Sequence, residues 1–389
     1  MRVNGRLTWI ALLLAAGCVL AADPEPAVVL GVNFCDWQDR FGTEESLRAM
    51  HYLQKMGMRD IVFTPTWYQK TYASTTIHRL PAKTPGDQRL MTDLRRAVKL
   101  GFRVGLKHHI DPEDRIPRSN IAFDSRRDFE LWWKNYRDLT LHYARMAKLN
   151  NIQDFSVGCE LSGVSVHPYT SYWVALIKEL RQMFGENGPR ITYSARHQNV
   201  ANIAFLDELD YIGINAWPYF HEGGTVTVAS IGQSWRRSIY FPEAFQTSRK
   251  FERRPGEEGQ DLDFFDYIRL VSRLYKKPVV LTEFGCQSKQ GILTKPVDWW
   301  LPGNPDVLAQ AMYFEGFFQE LLADIKTFGE TNPGEPYPLQ SILIWNYLPN
   351  EGGPRNTDYT FRNKPLTEKV IAEFLNQIPP RPSPKKAEK

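Results

Sequence analysis

Short runs of strongly apolar residues alternate along this chain with longer amphipathic stretches. The apolar runs cover residues 31–34, 61–66, 103–109, 155–160, 191–196, 211–217, 278–284 and 342–347. Most are near-continuous in Val, Ile, Leu and aromatics, as expected of strands covered on both faces in a parallel sheet. Between them, apolar positions recur with helical period over 44–56, 91–100, 128–148, 170–184, 264–275 and 305–326. Strand and helix repeated in this way predict the α/β class and, over residues 28–378, a single closed (β/α)8 barrel of the TIM type. Its longest connection, 218–263, follows the sixth strand and carries Phe220, Trp235, Tyr240, Phe241 and Phe245. In such a barrel that extended loop emerges at the face holding the catalytic strand ends. It reads either as a packed surface loop or as a wall or lid of a cleft.

The two ends of the chain read differently from the body. Arg2 and Arg6 precede an apolar stretch over 7–20, then Ala21, Ala22 and Pro24. This predicts an export signal over 1–22, cleaved after Val19-Leu20-Ala21, with lipid attachment at Cys18 in Leu14-Ala15-Ala16-Gly17-Cys18 as the second reading. The expected location is periplasmic or extracellular, with a membrane-anchored lipoprotein as the variant form. A lipid on Cys18 is the sole expected membrane contact, since no other stretch is long and apolar enough to cross a bilayer. The Pro- and Lys-rich residues 379–389 predict a disordered tail.

Composition narrows the function classes. A formal charge of +4 with no long basic run makes nucleic acid an unsuitable partner. Eleven Trp and seventeen Tyr, many beside strand ends, supply flat faces that suit sugar rings as well as cores. Cys35, Cys159 and Cys286 would remain after signal removal, an odd set without a CxxC pair, and read as small apolar filler. Metal chemistry needs converging ligands, whereas adjacent His108 and His109 on one strand point to opposite faces. No GxSxG elbow and no Gly-rich phosphate loop is present.

The positive signal is a pair of glutamates, each closing an apolar strand: Glu160 after 155–159 and Glu283 after 278–282. A carboxylate at the end of a buried strand is costly unless it is hydrogen-bonded or used. These two end the fourth and seventh strands, which lie across an eight-stranded barrel from each other. If they stand about 5 Å apart, one can attack an anomeric carbon while the other protonates the leaving oxygen, with retention of configuration. Counting by twos from Glu160 places Gly158 and Ser156 inside the barrel, with Val157 and Phe155 toward the helices. The same count from Glu283 places Leu281 and Val279 inside.

Several motifs in order, Phe63-Thr64-Pro65-Thr66-Trp67-Tyr68-Gln69, Leu106-Lys107-His108-His109-Ile110-Asp111, 155–161, 209–216 and 277–285, resemble glycoside hydrolase family 113. The resemblance runs from about Gly31 to Lys364 and includes Asn356-Thr357-Asp358-Tyr359-Thr360. It implies a (β/α)8 retaining glycosidase with endo-β-1,4-mannanase activity, acting on a poly- or oligosaccharide without a cofactor or metal. By position, Glu160 resembles the general acid/base, Glu283 the nucleophile and Trp345 the aromatic platform under the sugar. Asn215, Trp217 and Tyr219, after the sixth strand, resemble groups near the nucleophile. Trp67 and His109 resemble substrate-lining positions on strands two and three. Two departures stand out: Cys159 where the wider clan carries Asn, and His108 where the family pattern favours Pro. The competing expectation is a sugar-binding barrel that has lost catalysis.

Overall fold

Eight parallel strands pair edge to edge and close on themselves in the computed structural model, which describes residues 25–217, 225–237, 262–298, 300 and 302–382. In chain order the strands are β1 (Val29–Cys35), β2 (Asp60–Thr64), β3 (Thr66–Gln69), β4 (Arg103–Lys107), β5 (His109–Pro112), β6 (Asp154–Cys159), β7 (Arg190–Arg196), β8 (Ile212–Asn215), β9 (Val279–Phe284) and β10 (Leu339–Tyr347). The barrel closes in the order β1-β10-β9-β8-β7-β6-β4-β2, while β3 and β5 form a separate parallel pair. The expected (β/α)8 barrel is therefore present, with one refinement. The second and third strand signals each divide in two. At Pro65 the missing N–H interrupts the ladder; beyond it Thr66 pairs with His109 and Trp67 with Ile110, so the two strands continue above the barrel as a short ribbon.

The helices are α1 (Glu44–Lys55), α2 (Asp87–Lys99), α3 (Arg126–Leu149), α4 (Thr170–Phe184), α5 (Val228–Trp235), α6 (Phe264–Tyr275), α7 (Val307–Thr331) and α8 (Pro365–Gln377). Side-chain caps start several of them: Thr43 accepts from the Ser46 amide, Ser125 from Asp128, and Asp263 from Phe265 and Asp266. Helix α3 turns Trp132, Trp133, Tyr136 and Tyr143 onto the sheet, and all four are buried. The main apolar core lies in this layer between helices and strands. Helices α5 and α8 were not among the periodic segments. Within the long connection after β8, Trp235 of α5 is buried against Phe264 and Phe317, so this aromatic belongs to the core and not to a cleft wall. Phe220, Tyr240, Phe241 and Phe245 lie outside the described residues.

Two expectations are corrected. Val280 packs with Val62, Tyr211 and Leu343, which come from four separate strands or strand entrances and can meet only inside the barrel. Val280, not Val279 or Leu281, is thus the inward residue. Likewise an added Cβ on Gly158 would meet Tyr136 Oη at 2.7 Å and Trp173 at 3.1 Å, both on the helix side. Strict alternation fails because the ladder is bulged before each glutamate: β6–β7 pairing shifts between Ser156 and Cys159, and β8–β9 pairing shifts between Ile214 and Asn215. A bulge adds a residue to one strand and re-aims the next side chain. At the other end, Pro379 to Arg381 are paired to the chain start and not loose. The Ala27 amide donates to Pro379 O at 2.8 Å and Arg381 forms a 2.7 Å ion pair with Glu25. The expected export signal over 1–22 and residues 383–389 lie outside the described residues.

Candidate active site

The C-terminal strand ends converge on one polar cluster. Strand β6 delivers Cys159 inward and then turns sharply: Glu160 has φ of 55°, a left-handed conformation unusual for a side chain this long. Three bonds hold the turn. The Glu160 amide donates to Ser194 O at 2.9 Å, the Leu161 amide to Tyr193 Oη at 2.8 Å and the Ser162 amide to Glu160 O at 2.9 Å. Such conformations cost about 1–3 kcal/mol and persist where the surroundings over-determine them.

Glu283, at the bulge in β9, is 5% exposed and surrounded by donors. Lys107 Nζ donates to its Oε1 at 2.8 Å and also to Thr282 O at 3.1 Å. Trp217 Nε1 donates to its Oε2 at 3.2 Å, and the Cys159 thiol approaches Oε1 at 3.5 Å. This carboxylate thus has the Lys107 amine in contact and donors on both oxygens.

Glu160 has a leaner environment. Asn215 Nδ2 donates to its Oε1 at 3.0 Å and to Cys159 Sγ at 3.4 Å, while Asn215 Oδ1 accepts from Thr282 Oγ1 at 2.7 Å. Burial raises the Glu160 pKa above the ordinary carboxylate value and the nearby Glu283 charge raises it further, against opposing pulls from Arg118, Asn215 and Arg196. The contacts Glu160–Asn215, Asn215–Cys159 and Cys159–Glu283, at 3.0, 3.4 and 3.5 Å, limit the separation of the two carboxylates. Even fully extended, that chain allows about 10 Å, the outer limit for a glycosidase pair.

The aromatic side is built from Trp345 and Trp37. Trp345, on β10, stacks on His109 with ring centroids 5.5 Å apart, lies 5.1 Å from Lys107 Nζ and meets Trp37 edge-on at 6.1 Å. Gly285 makes this possible: a Cβ there would sit 2.4 Å from Trp345 O, so only a residue without a side chain lets β9 and β10 approach so closely.

Of the residues expected from the sequence, the structure brings together Glu160, Glu283, His109, Asn215, Trp217 and Trp345. Trp67 lies elsewhere: its Nε1 donates to Tyr143 Oη of α3 at 2.8 Å and Arg79 covers its ring. Thr66, not Trp67, shares the register position of His109 in the ribbon, and alternation sends Trp67 to the helix side. Tyr219 lies outside the described residues. His108 points away from His109 as expected, bonding Thr140 of α3 at 3.1 Å. The residues missed were Lys107, Trp37 and Arg118. Lys107 carried a usable signal, since it stands two positions before His109 on the same strand face. Arg118 carried none, because it reaches the site from a loop.

His109, Cys159 and Glu283 also present three ligand-type atoms within 4.8 Å of one another. Of these, Glu283 Oε1 is already claimed by Lys107, while Arg118 Nη1 donates to His109 Nδ1 and leaves Nε2 turned toward Glu283. Burial and then the Glu283 charge push the Cys159 thiol pKa up, away from the thiolate a metal needs. Cys35, Cys159 and Cys286 are all buried and free; Cys159 departs from the expected apolar filler, since its thiol meets Asn215 and Glu283.

The family model of Glycoside Hydrolase Family 113 matches residues 32–325. Among solved structures, a β-mannanase of that family from Alicyclobacillus acidocaldarius, in complex with ManMIm, is 22% identical with a TM-score of 0.69, covering 91% of this chain and 98% of that one. A GH113 β-1,4-mannanase complex is 20% identical with a TM-score of 0.69, over 91% and 99% of the two chains. A family 5 mannosidase from Rhizomucor miehei is 10% identical with a TM-score of 0.51, over 91% and 94%. No curated protein matches the chain in sequence. The structural likenesses speak to the fold, and the family model, which spans most of the chain, speaks to kinship: this protein belongs to Glycoside Hydrolase Family 113 and is a glycoside hydrolase on a (β/α)8 barrel.

Proposed function

We propose that this enzyme is a retaining, endo-acting β-mannanase in which Glu283 is the nucleophile and Glu160 the general acid/base. The observation that carries the assignment is the unequal environment of the two carboxylates. Glu283 contacts the Lys107 ammonium and has donors on both oxygens, the surroundings of an attacking carboxylate. Glu160 is bonded by a neutral amide and its pKa is raised by burial and by Glu283, the direction a proton donor needs. In the first step Glu283 attacks the anomeric carbon while Glu160 gives its proton to the departing glycosidic oxygen. Forming the ester removes the Glu283 charge, so the electrostatic cause of the Glu160 shift disappears and Glu160 becomes the base that deprotonates water. Water then breaks the ester, and Glu160 regains its proton.

Mannan is proposed because the family members of similar structure are β-mannanases, and Trp345 and Trp37 offer a stacking face for a pyranose. Export through the leader over 1–22 fits a polymeric substrate outside the cell. The test is release of new reducing ends from mannan, glucomannan, xylan and β-glucan, with the anomer formed first followed by proton NMR. Mannan or glucomannan cleavage with retention is expected, together with loss of turnover in Glu283→Ala and its partial recovery with azide. Inversion would remove the nucleophile role. Lack of turnover on every polymer would return the chain to a sugar-binding reading.

A further inference from the structure

We propose that Arg118, anchored by Asp111, is a positioning residue that locks His109 as the neutral tautomer protonated on Nε2, making that atom a hydrogen-bond donor to a substrate hydroxyl beside Glu283. The tautomer follows from the contacts. A guanidinium has donors only; Arg118 Nη1 donates to His109 Nδ1, so Nδ1 must be the bare nitrogen and the ring proton sits on Nε2. Arg118 is itself held by Asp111, whose Oδ1 lies 2.7 Å from Nη2.

His109 Nε2 is buried and has no hydrogen-bond partner among the described residues. Glu283 Oε1 stands 3.7 Å away and is already bonded by Lys107. A buried donor without a partner costs about 1–3 kcal/mol, so its persistence needs a reason. Stacking on Trp345 at 5.5 Å fixes the ring plane and leaves Nε2 facing the space next to the nucleophile. The other nearby polar groups cannot supply the same donor. The Cys159 thiol is a weak donor directed at Glu283, and both nitrogen-bearing neighbours, Lys107 and Asn215, already have acceptors.

Arg118 also prevents a harmful alternative. The charged and titratable groups facing the imidazole are Lys107 on its own strand side, His108 beside it, Arg118 from the following loop, Cys159 from β6 and Glu283 from β9. Burial, with Arg118, Lys107 and His108 in support, holds the His109 pKa well below its ordinary value. A protonated His109 would pair with Glu283 at 3.7 Å and blunt the nucleophile, and the Arg118 charge adds to burial in opposing that state.

The tautomer stands independently of the glycosidase assignment; the hydroxyl as acceptor rests on it. The test is ring 15N NMR of the full mature protein, with His109 assigned by comparison with His109→Gln, between about pH 5 and 8. A protonated Nε2 and a bare Nδ1 throughout that range are expected. A proton on Nδ1, or on both nitrogens, would overturn the proposal even in an active enzyme. Conversely, the expected spectrum from a protein without turnover would sink the glycosidase reading alone. In Arg118→Met the ring should stay neutral, because burial is the main cause of its lowered pKa, but Nδ1 should now carry part of the proton. Its kcat/KM should fall about tenfold, the loss of one hydrogen bond. Arg118→Lys should restore part of it, and Arg118→Met in a His109→Gln background should cause no further fall. Ring 15N shifts unchanged by Arg118→Met would refute the positioning role. Should Arg118→Met not fold, the wild-type spectrum still decides the tautomer.

Discussion

Asp60 offers the clearest quantitative test of the electrostatics, at the end of the barrel opposite the active site. It begins β2 and faces a small cavity lined also by Arg103, Asp154, Arg190 and Tyr211. Its Oδ2 accepts from Ser341 Oγ at 2.7 Å, but Arg190 and Arg103 direct their closest donors to Asp154, at 3.0 and 2.5 Å. Burial therefore outweighs the available attraction, and the Asp60 carboxyl is raised from 3.8 to about 6. A raised carboxyl means that the folded state binds the proton more tightly than the unfolded one. Its contribution is fully present below the unfolded value and is lost as pH rises through the folded one. At about 1.4 kcal/mol per pKa unit the loss approaches 3 kcal/mol above pH 6, and partial access to water reduces it to about 1–3 kcal/mol. Asp60→Asn keeps an acceptor for Ser341 and removes the charge. Urea unfolding should show the variant more stable by that amount at about pH 8 and nearly unchanged at about pH 4. Activity should be unaltered, because the N-terminal face of a barrel serves stability. A variant less stable at pH 8, or a gain independent of pH, would mean that Arg103 and Arg190 already satisfy this carboxylate.

The raised Glu160 predicts that kcat/KM falls as pH rises through that group. Glu160→Gln should remove this alkaline limb and slow turnover of unactivated glycosides by about 10²–10⁴-fold, with little loss on aryl glycosides that leave without a proton. A surviving alkaline limb would assign it elsewhere. Lys107→Met strands the buried Glu283 charge and should cost about 3–5 kcal/mol in urea unfolding together with turnover, whereas adding Glu283→Gln should restore most of the stability. Equal stability in the single and double variants would show that the pair is not coupled. Gly285→Ala forces a Cβ to 2.4 Å from Trp345 O; a loss of at least about 1–3 kcal/mol and of substrate affinity is expected, measured by unfolding and by KM. A variant with wild-type KM would show that β9 and β10 separate without moving Trp345.

The order of strands and helices was legible in the sequence because a parallel barrel buries both strand faces, and continuous Val/Ile/Leu runs advertise that burial. Helix α5 was not legible: its eight residues are too few for a periodic signal, and its cap, Thr227 with Ser230, is local chemistry inside a long connection. The two glutamates were found by their place at strand ends, but the phase behind them was misjudged. Alternation assumes an unbroken ladder, and the bulges before Glu160 and Glu283 exist only in the pairing with neighbouring strands. Trp67 was misplaced for a related reason, since the ribbon above the barrel sets its facing. Arg118 was invisible because a loop residue gains its neighbours only when the chain has closed.

These two bulges connect the failure of the phase count with the chemistry. A regular β6 would place Cys159 and Glu160 on opposite faces, one toward the nucleophile and the other among the helices. The irregular ladder and the left-handed Glu160 instead keep both near Asn215, with Cys159 3.4 Å and Glu160 3.0 Å from the same amide. On β9, Thr282 supports that amide through its hydroxyl and Lys107 through its carbonyl, while the following residue, Glu283, still enters the site. Consecutive residues thus serve one pocket, which a flat strand forbids. The barrel supplies two carboxylates at equivalent heights, and the distortions decide which of them meets the lysine and which meets only a neutral amide. The proposed division into nucleophile and acid rests on that difference in partners, not on the identity of the residues.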